Sequence, residues 1–296
     1  MSSAEILQMR PLLVRNALIV GAGDQLNEVL STALEPRAWA IQHVPDNAAA
    51  LLAVRAKPFD LVLTSEKTTG REDVELLRKI RRLRPHTNVI ILTSASTPGD
   101  VIASMRERAF SYFVAPYSAE ELATMVRHAV DGPCWDDGIE ILGATPELIQ
   151  VLVRCDVKAA ERLVQFLNEI AELPDQERHE VAIAFREMLL NAIEHGGQFD
   201  PNQYVEIDYV RARHMVTCHI KDPGTGFTLD EIPHAAVANP DDAPMRHAGV
   251  REAQGMRPGG FGVLLAQKMV DELIYNQDGN EVLLIKYLNT ERQQSA

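Results

Sequence analysis

Glu187-Met-Leu-Leu-Asn191-Ala-Ile-Glu194-His195-Gly196, then Asp222-Pro-Gly224-Thr-Gly226-Phe227, then Gly259-Gly260-Phe261-Gly262 are three segments whose order and setting decide the fold of the C-terminal half. The first is helical in rhythm. Over residues 182–195 the apolar Ala184, Phe185, Met188, Leu189 and Ala192 leave a polar strip of Glu187, Asn191 and Glu194. Glu187 and Asn191 stand one turn apart and face the same way. The run 215–220 alternates as a strand does, and Asp222-Pro-Gly-Thr-Gly breaks it into a turn, so Asp222 falls at a strand end. The third segment opens a helix expected over 263–273, whose first N–H groups and positive dipole end point at whatever precedes it.

These residue types suit a magnesium nucleotide. The Asn191 amide oxygen is a fitting Mg²⁺ ligand, because Mg²⁺ on nucleotides takes one or two protein ligands and completes its shell with water and phosphate oxygens. A carboxylate one turn away, Glu187, could accept the proton of an attacking hydroxyl or water. Asp222 could accept a hydrogen bond from an adenine amino group, with Gly224 and Gly226 letting backbone approach base and ribose. Gly259, Gly260, Phe261 and Gly262 lead into a helix N-terminus that fits a phosphate.

The three segments resemble the N, G1 and G2 boxes of the GHKL ATP-binding superfamily. Within it the chain is similar to the RsbW/SpoIIAB type of anti-sigma factor serine kinase. Glu187 four residues before Asn191, the ending Asn-Ala-Ile-Glu-His-Gly, and the lead-in of a strand at 148–154 and a helix at 157–171 carry that likeness, which spans roughly residues 140–290. It implies an α/β-sandwich Bergerat fold, ATP and Mg²⁺ as cofactors, Glu187 as catalytic base, and Asn191 as the metal ligand. It also implies nucleotide contacts from Asp222, Gly224, Gly226, Gly259, Gly260, Phe261 and Gly262, and a STAS-type anti-anti-sigma protein as partner. A sigma factor as second partner and a homodimer are consistent with it.

The N-terminal half has another rhythm. Apolar runs at 12–20, 39–44, 61–63, 89–92 and 112–114 alternate with helical stretches, which predicts a five-stranded parallel sheet with helices on both faces. Phe59-Asp-Leu-Val-Leu-Thr-Ser65, Val89-Ile-Ile-Leu-Thr93-Ser and Phe110-Ser-Tyr-Phe-Val-Ala115-Pro116 resemble a response-regulator receiver domain of flavodoxin-like (βα)5 fold. Where that family carries paired acids, a phosphoacceptor Asp and a Lys, this chain has Gly21 and Ala22, Ser65, and Ala115; of the usual set Thr93 alone survives. Without metal carboxylates, acceptor and cation, aspartyl phosphorylation cannot run. The expectation is a pseudo-receiver that docks, dimerises or binds another ligand.

The domain organisation read from these patterns is a pseudo-receiver at 1–131, a linker at 132–147 interrupted by Gly and Pro, an ATP-binding domain at 148–290 and a polar tail at 291–296. Residues 1–131 hold 15 basic and 15 acidic side chains and residues 132–296 hold 14 and 27, so the net charge of −13 belongs to the second half. Nucleic acid is a poor partner for such a surface. An acidic domain binding an anionic nucleotide needs local cations, and Arg246, His247, Arg251 and Arg257 supply them in the polar, Pro- and Gly-rich segment 228–258, which reads as a lid. Arg257 is the candidate γ-phosphate contact.

No apolar run approaches a membrane span, and Met1-Ser-Ser-Ala-Glu-Ile lacks the pattern of a signal peptide, so the expectation is a cytoplasmic protein with no membrane partner. The three scattered cysteines imply neither a disulfide framework nor a metal cluster. His195 reads as a favourable charge near a helix C-terminus. His179, followed by Glu180, lies on the same helix as Asn191 and cannot reach its own γ-phosphate. Arg78, Lys79, Arg81, Arg82 and Arg84 read as a solvated helix face. Residues 134–148 show no helical period, and no transducer pattern is read after 290, so the expectation is neither a sensor histidine kinase nor a gyrase-like machine.

Overall fold

The structure is a computed structural model, and it describes residues 14–21, 24–35, 37–131, 138–227, 239, 245–253 and 260–288. The chain divides into two compact units, one ending at Asp137 and the other beginning at Gly138.

The first unit is an alternating α/β domain. Strands β1 (Arg15–Val20), β2 (Trp39–Val44), β3 (Leu61–Leu63), β4 (Asn88–Thr93) and β5 (Ser111–Val114) form one parallel sheet in the order β2-β1-β3-β4-β5. The intervening helices are α1 (Asp24–Ala33), α2 (Asn47–Ala56), α3 (Gly70–Leu83), α4 (Pro98–Arg106) and α5 (Ala119–Val130). Strand β4 is buried at every position, as a central parallel strand covered on both faces must be. On one face Leu30 of α1 and Leu122 and Val126 of α5 join Ile19, Leu63 and Leu92 in a single core cluster. Helix α3 starts at a capping box, with the Thr69 hydroxyl and the Glu72 carboxylate each satisfying the other's backbone N–H. The predicted flavodoxin-like sheet is therefore present, strand for strand.

The second unit is a two-layer α/β sandwich. Strands β6 (Ile139–Ala144), β7 (Leu148–Arg154), β8 (Tyr204–Arg211), β9 (Met215–Lys221), β10 (Glu272–Tyr275) and β11 (Glu281–Tyr287) make a sheet ordered β10-β11-β9-β8-β7-β6, with every pairing antiparallel. Burial alternates along β7, β8 and β9, so one face is dry. Ile149, Val151, Ile207, Cys218 and Leu284 lie in that core with Leu163, Phe166, Phe185 and Leu189 of helices α6 (Val157–Ile170) and α7 (Asp175–Asn191). Two further helices, α8 (Arg246–Ala253) and α9 (Gly262–Met269), complete the unit.

Two expectations needed correction here. The stretch 139–147, assigned to the linker, contains edge strand β6, which pairs with β7 across a bulge between Ile141 and Gly143. Gly138, at φ +66, turns the chain into that strand. The helix expected over 263–273 stops at Met269, because Val270 is extended and the Asp271 N–H donates to Ile285 O, drawing the chain into the sheet as β10. Among the described residues no helix is long and apolar enough to cross a membrane. Cys155 and Cys218 are buried free thiols; Cys134 lies outside the described residues.

Candidate functional site

Helix α7 is placed by its buried face. Val181, Ala184, Phe185, Met188 and Leu189 recur at the spacing of one helical side and are all buried, which turns Glu187 and Asn191 toward the layer above. The helix then widens into a π turn over Ala192–Gly196, closed by the Gly197 N–H donating to Ala192 O at 2.8 Å. Such turns often mark functional positions, since they re-aim the side chains beside them. The glycine that ends it and the one that follows it are both required by space. A methyl at Gly197 would overlap Cys155 Sγ, and one at Gly196 would overlap the carboxylate of Asp222.

Asp222 follows β9 directly, and its backbone is fixed by its own N–H donating to Asn280 O at 2.9 Å. Its side chain turns back so that the Gly224 N–H donates to Oδ1 at 2.7 Å. Burial pushes the carboxyl above the usual aspartate range, and the Gly224 N–H pulls the other way. Gly226 has φ +80, a left-handed backbone that L side chains avoid, and a methyl there would overlap Asp278 O. Phe227 packs edge-on to Tyr275 with ring centroids 5.3 Å apart. The Tyr275 hydroxyl donates to Met188 Sδ at 3.4 Å, and burial with the nearby Asp222 charge pushes its phenol up to about 12.

Gly262 begins α9, and the helix start has no side-chain cap, so its first backbone N–H groups point outward. This terminus meets α7. A methyl at Gly262 would come within 2.9 Å of Glu187 Oε2 and 3.4 Å of Asn191 Nδ2. On the far side of Phe261 lies His247 of α8, its ring edge-on to the phenyl at 4.5 Å. His247 is fully buried; its backbone N–H donates to Asn239 Oδ1 at 2.8 Å, and its Nδ1 lies 2.6 Å from Asn239 Nδ2.

Together these elements enclose a cavity of about 750 Å³, lined among others by Glu187, Asn191, Asp222, Gly224, Gly226, Gly260, Phe261 and Gly262. That is within the range of small-molecule and cofactor sites, roughly 300–1,000 Å³. Eight of the ten residues singled out from the sequence thus face one space. Arg257 and Gly259 lie outside the described residues, as does most of the expected lid. Gly196, Tyr275 and Asn280 also line the cavity and were missed, while His247, expected among the lid cations, is buried against Phe261 instead. Gly196 closes the first quoted segment and could have been found there; Tyr275 and Asn280 carry no local signal.

The site fits a nucleotide with its metal in donor chemistry. Among the described residues no group of three or more His, Cys, Asp or Glu is arranged to hold a metal alone. One amide and one carboxylate beside an uncapped helix N-terminus suit an ion that shares its ligands with phosphate.

In the first unit the positions compared with a receiver's phosphorylation site lie at the strand ends of the parallel sheet. Ser65 is buried at the end of β3, its Oγ has no partner among the described residues, and a methyl at Gly21 would overlap that oxygen. Thr93 Oγ1 lies 2.8 Å from Thr68 O and 3.0 Å from Ala95 O. Ala22 lies outside the described residues. Asp73 on α3 is fully buried, accepting from Thr68 Oγ1 at 2.8 Å and from Asn47 Nδ2 at 3.0 Å, and burial pushes its carboxyl up to about 6.

Residues 17–127 match the response regulator receiver domain, and residues 153–286 match the histidine kinase-like ATPase domain. The chain carries an ATP-binding domain of that family behind a receiver domain, the make-up of a signalling regulator. Response regulator protein FleR of Pseudomonas aeruginosa is 27% identical over 146 residues, which is 48% of this chain and 31% of that protein. Probable transcriptional regulatory protein TcrX of Mycobacterium tuberculosis is 28% identical over 110 residues, 37% of this chain and 47% of that protein. The chain spans less than half the length of these relatives. Among solved structures, a CheY-like receiver domain protein from Methanospirillum hungatei is 22% identical with a TM-score of 0.35, covering 40% of this chain and 94% of that one. A response regulator from Thermotoga maritima has 22% identity and a TM-score of 0.35, covering 40% of this chain and 100% of that one.

Proposed function

We propose that the C-terminal unit is an ATP-dependent serine/threonine protein kinase of the partner-switching class, transferring the γ-phosphate of ATP to a hydroxyl on a STAS-type anti-anti-sigma protein. The observation that carries this reading is the meeting of Glu187 and Asn191 with the start of α9 at Gly262. A group that can accept a proton and a group that can hold a metal stand together where phosphate fits.

Asp222 would accept the adenine amino hydrogen, with Gly224 and Gly226 against base and ribose. The N–H groups of α9 would take phosphate oxygens. Asn191 Oδ1 would hold Mg²⁺, which when bound neutralises charge on the phosphates. The acceptor hydroxyl oxygen bonds to the γ-phosphorus, the bond from that phosphorus to the β,γ-bridging oxygen breaks, and the hydroxyl proton passes to Glu187. ADP leaves. Phosphorylation of the partner would release it and leave this chain to hold a sigma factor or comparable regulator. The first unit would then work by docking or by binding a ligand other than phosphate, since no acceptor carboxylate stands at Ser65.

A second reading is favoured by one observation. His247 on α8 packs on Phe261, so a wall of the cavity is joined to the lid segment. Nucleotide could order that segment and present a partner surface without transferring phosphate. Glu187→Gln separates the two readings. Kinase action predicts loss of partner phosphorylation with ATP binding retained; transfer at an undiminished rate would remove Glu187 from the role of base.

A further inference from the structure

Beside Glu187 on α7 stands Arg186. Arg186 Nη1 lies 3.4 Å from Glu187 Oε1, and its Nη2 lies 3.1 Å from Glu161 Oε1 on the neighbouring helix α6. Consecutive residues on a helix point about 100° apart and do not normally meet. Here the planar guanidinium fork spans the difference, one nitrogen on each carboxylate. Glu161 is the more enclosed anchor, with 19% of its side chain exposed against 28% for Glu187 and 44% for Arg186. The Glu187 oxygen that Arg186 does not engage, Oε2, is the one that faces Gly262 and the start of α9.

We infer that Arg186 is a positioning residue for Glu187: anchored on Glu161, it holds Oε1 and so aims Oε2 at the phosphate end of the cavity. The inference rests on the proposed role of Glu187 as base. Without the guanidinium, Glu187 loses the contact that ties its Oε1 to α6 through Glu161. Half-exposed ion pairs add little to stability, so the effect belongs to geometry and rate rather than to folding. A base displaced by a fraction of an ångström loses rate, because proton acceptance needs hydrogen-bond reach to the attacking oxygen.

The test uses the full chain and the turnover of Mg-ATP by water, which needs no partner. In that reaction the water oxygen bonds to the γ-phosphorus, the bond to the β,γ-bridging oxygen breaks, and the water proton passes to Glu187. Arg186→Ala is expected to lower kcat about tenfold with the Kd for ATP unchanged within about twofold. Added guanidinium ion should restore rate to Arg186→Ala and not to Glu187→Gln. Arg186→Lys, which offers a single ammonium in place of a fork, should fall between. Glu161→Gln combined with Arg186→Ala should be no slower than Arg186→Ala alone, because both act through one contact. Arg186→Ala turning over as fast as the intact chain, while Glu187→Gln is slow, would overturn the positioning role and leave the base standing. An intact chain that binds ATP without turnover, or Glu187→Gln at the full rate, would overturn the base and this inference with it.

Discussion

Gly196 lies so close to Asp222 that a side chain of even one carbon at residue 196 would overlap the carboxylate. The segment that continues the helix of Glu187 and Asn191 and the loop that carries Asp222, the proposed acceptor for adenine, are therefore set against each other at a point with no spare volume. Gly196→Ala should swing the Asp222 side chain out of place. The expected result is at least a tenfold loss of ATP affinity, about 1.4 kcal/mol, by calorimetry, with the far-UV spectrum unchanged. Combined with Asp222→Asn, the loss should be no greater than for the single change, since both act on one carboxylate.

The carboxyl of Asp222 titrates above its ordinary range because burial disfavours its charge. Two pH effects of opposite sign follow. If Asp222 accepts from the adenine amine as proposed, its protonation weakens that contact, so ATP affinity should fall as pH drops, beginning at a higher pH than an ordinary aspartate would give. A group whose folded pKa is raised binds more protons folded than unfolded, so the nucleotide-free unit should gain stability over that same fall. Binding isotherms and thermal melts across the acid range should diverge in this way, and Asp222→Asn should flatten both.

Asp73 in the first unit gives a separate stability effect. Its carboxyl is raised from an unfolded value of 3.8 to about 6, so stability contributed by this group is fully present below about 4 and is lost as pH rises through 6. Asp73→Asn should stabilise the unit at pH 7.5 by on the order of 2 kcal/mol and remove the pH dependence between those limits. The neighbours can adapt. Asn47 can still donate to the new amide oxygen, while Thr68 Oγ1, 2.9 Å from Ser65 O, can donate there and accept from the new amide NH₂. Urea melts at pH 4.5 and 7.5 would show it.

The receiver unit should ignore phosphoryl donors. With Ser65 in place of a carboxylate and its oxygen pressed on Gly21, acetyl phosphate and Mg²⁺ should add no mass to the intact chain. A mass gain of one phosphate on residues 15–114 would contradict this.

Much of this architecture is legible in the sequence, and the rest is hidden for definable reasons. Strands β1 to β5 announce themselves because parallel strands buried on both faces are continuous apolar runs between helices. Glu187, Asn191, Asp222 and the glycine segments can be found because each sits on the element that its chemistry demands. Edge strand β6 escaped because Ile139-Glu-Ile-Leu-Gly-Ala144 is short and bulged, and its alternation breaks at Leu142. The π turn after Asn191 leaves no trace in residue pattern, being a matter of which carbonyl Gly197 finds. Tyr275 and Asn280 reach the site through the pairing of β10 with β11 and of β11 with β9, contacts between residues far apart in the chain. Arg186 carries no signal of its own in the sequence, and its link to a second carboxylate depends on where α6 places Glu161.

The most direct test of the whole account is calorimetric titration of the intact chain with ATP, with and without Mg²⁺, beside Asn191→Ala. The account predicts Mg²⁺-dependent binding by the intact chain and its loss in the variant, since Asn191 stands where the helix N-terminus at Gly262 would place the phosphates. Equal binding by both proteins, or Mg²⁺-independent binding, would contradict the placement of the metal. No binding by the intact chain would contradict the ATP site itself.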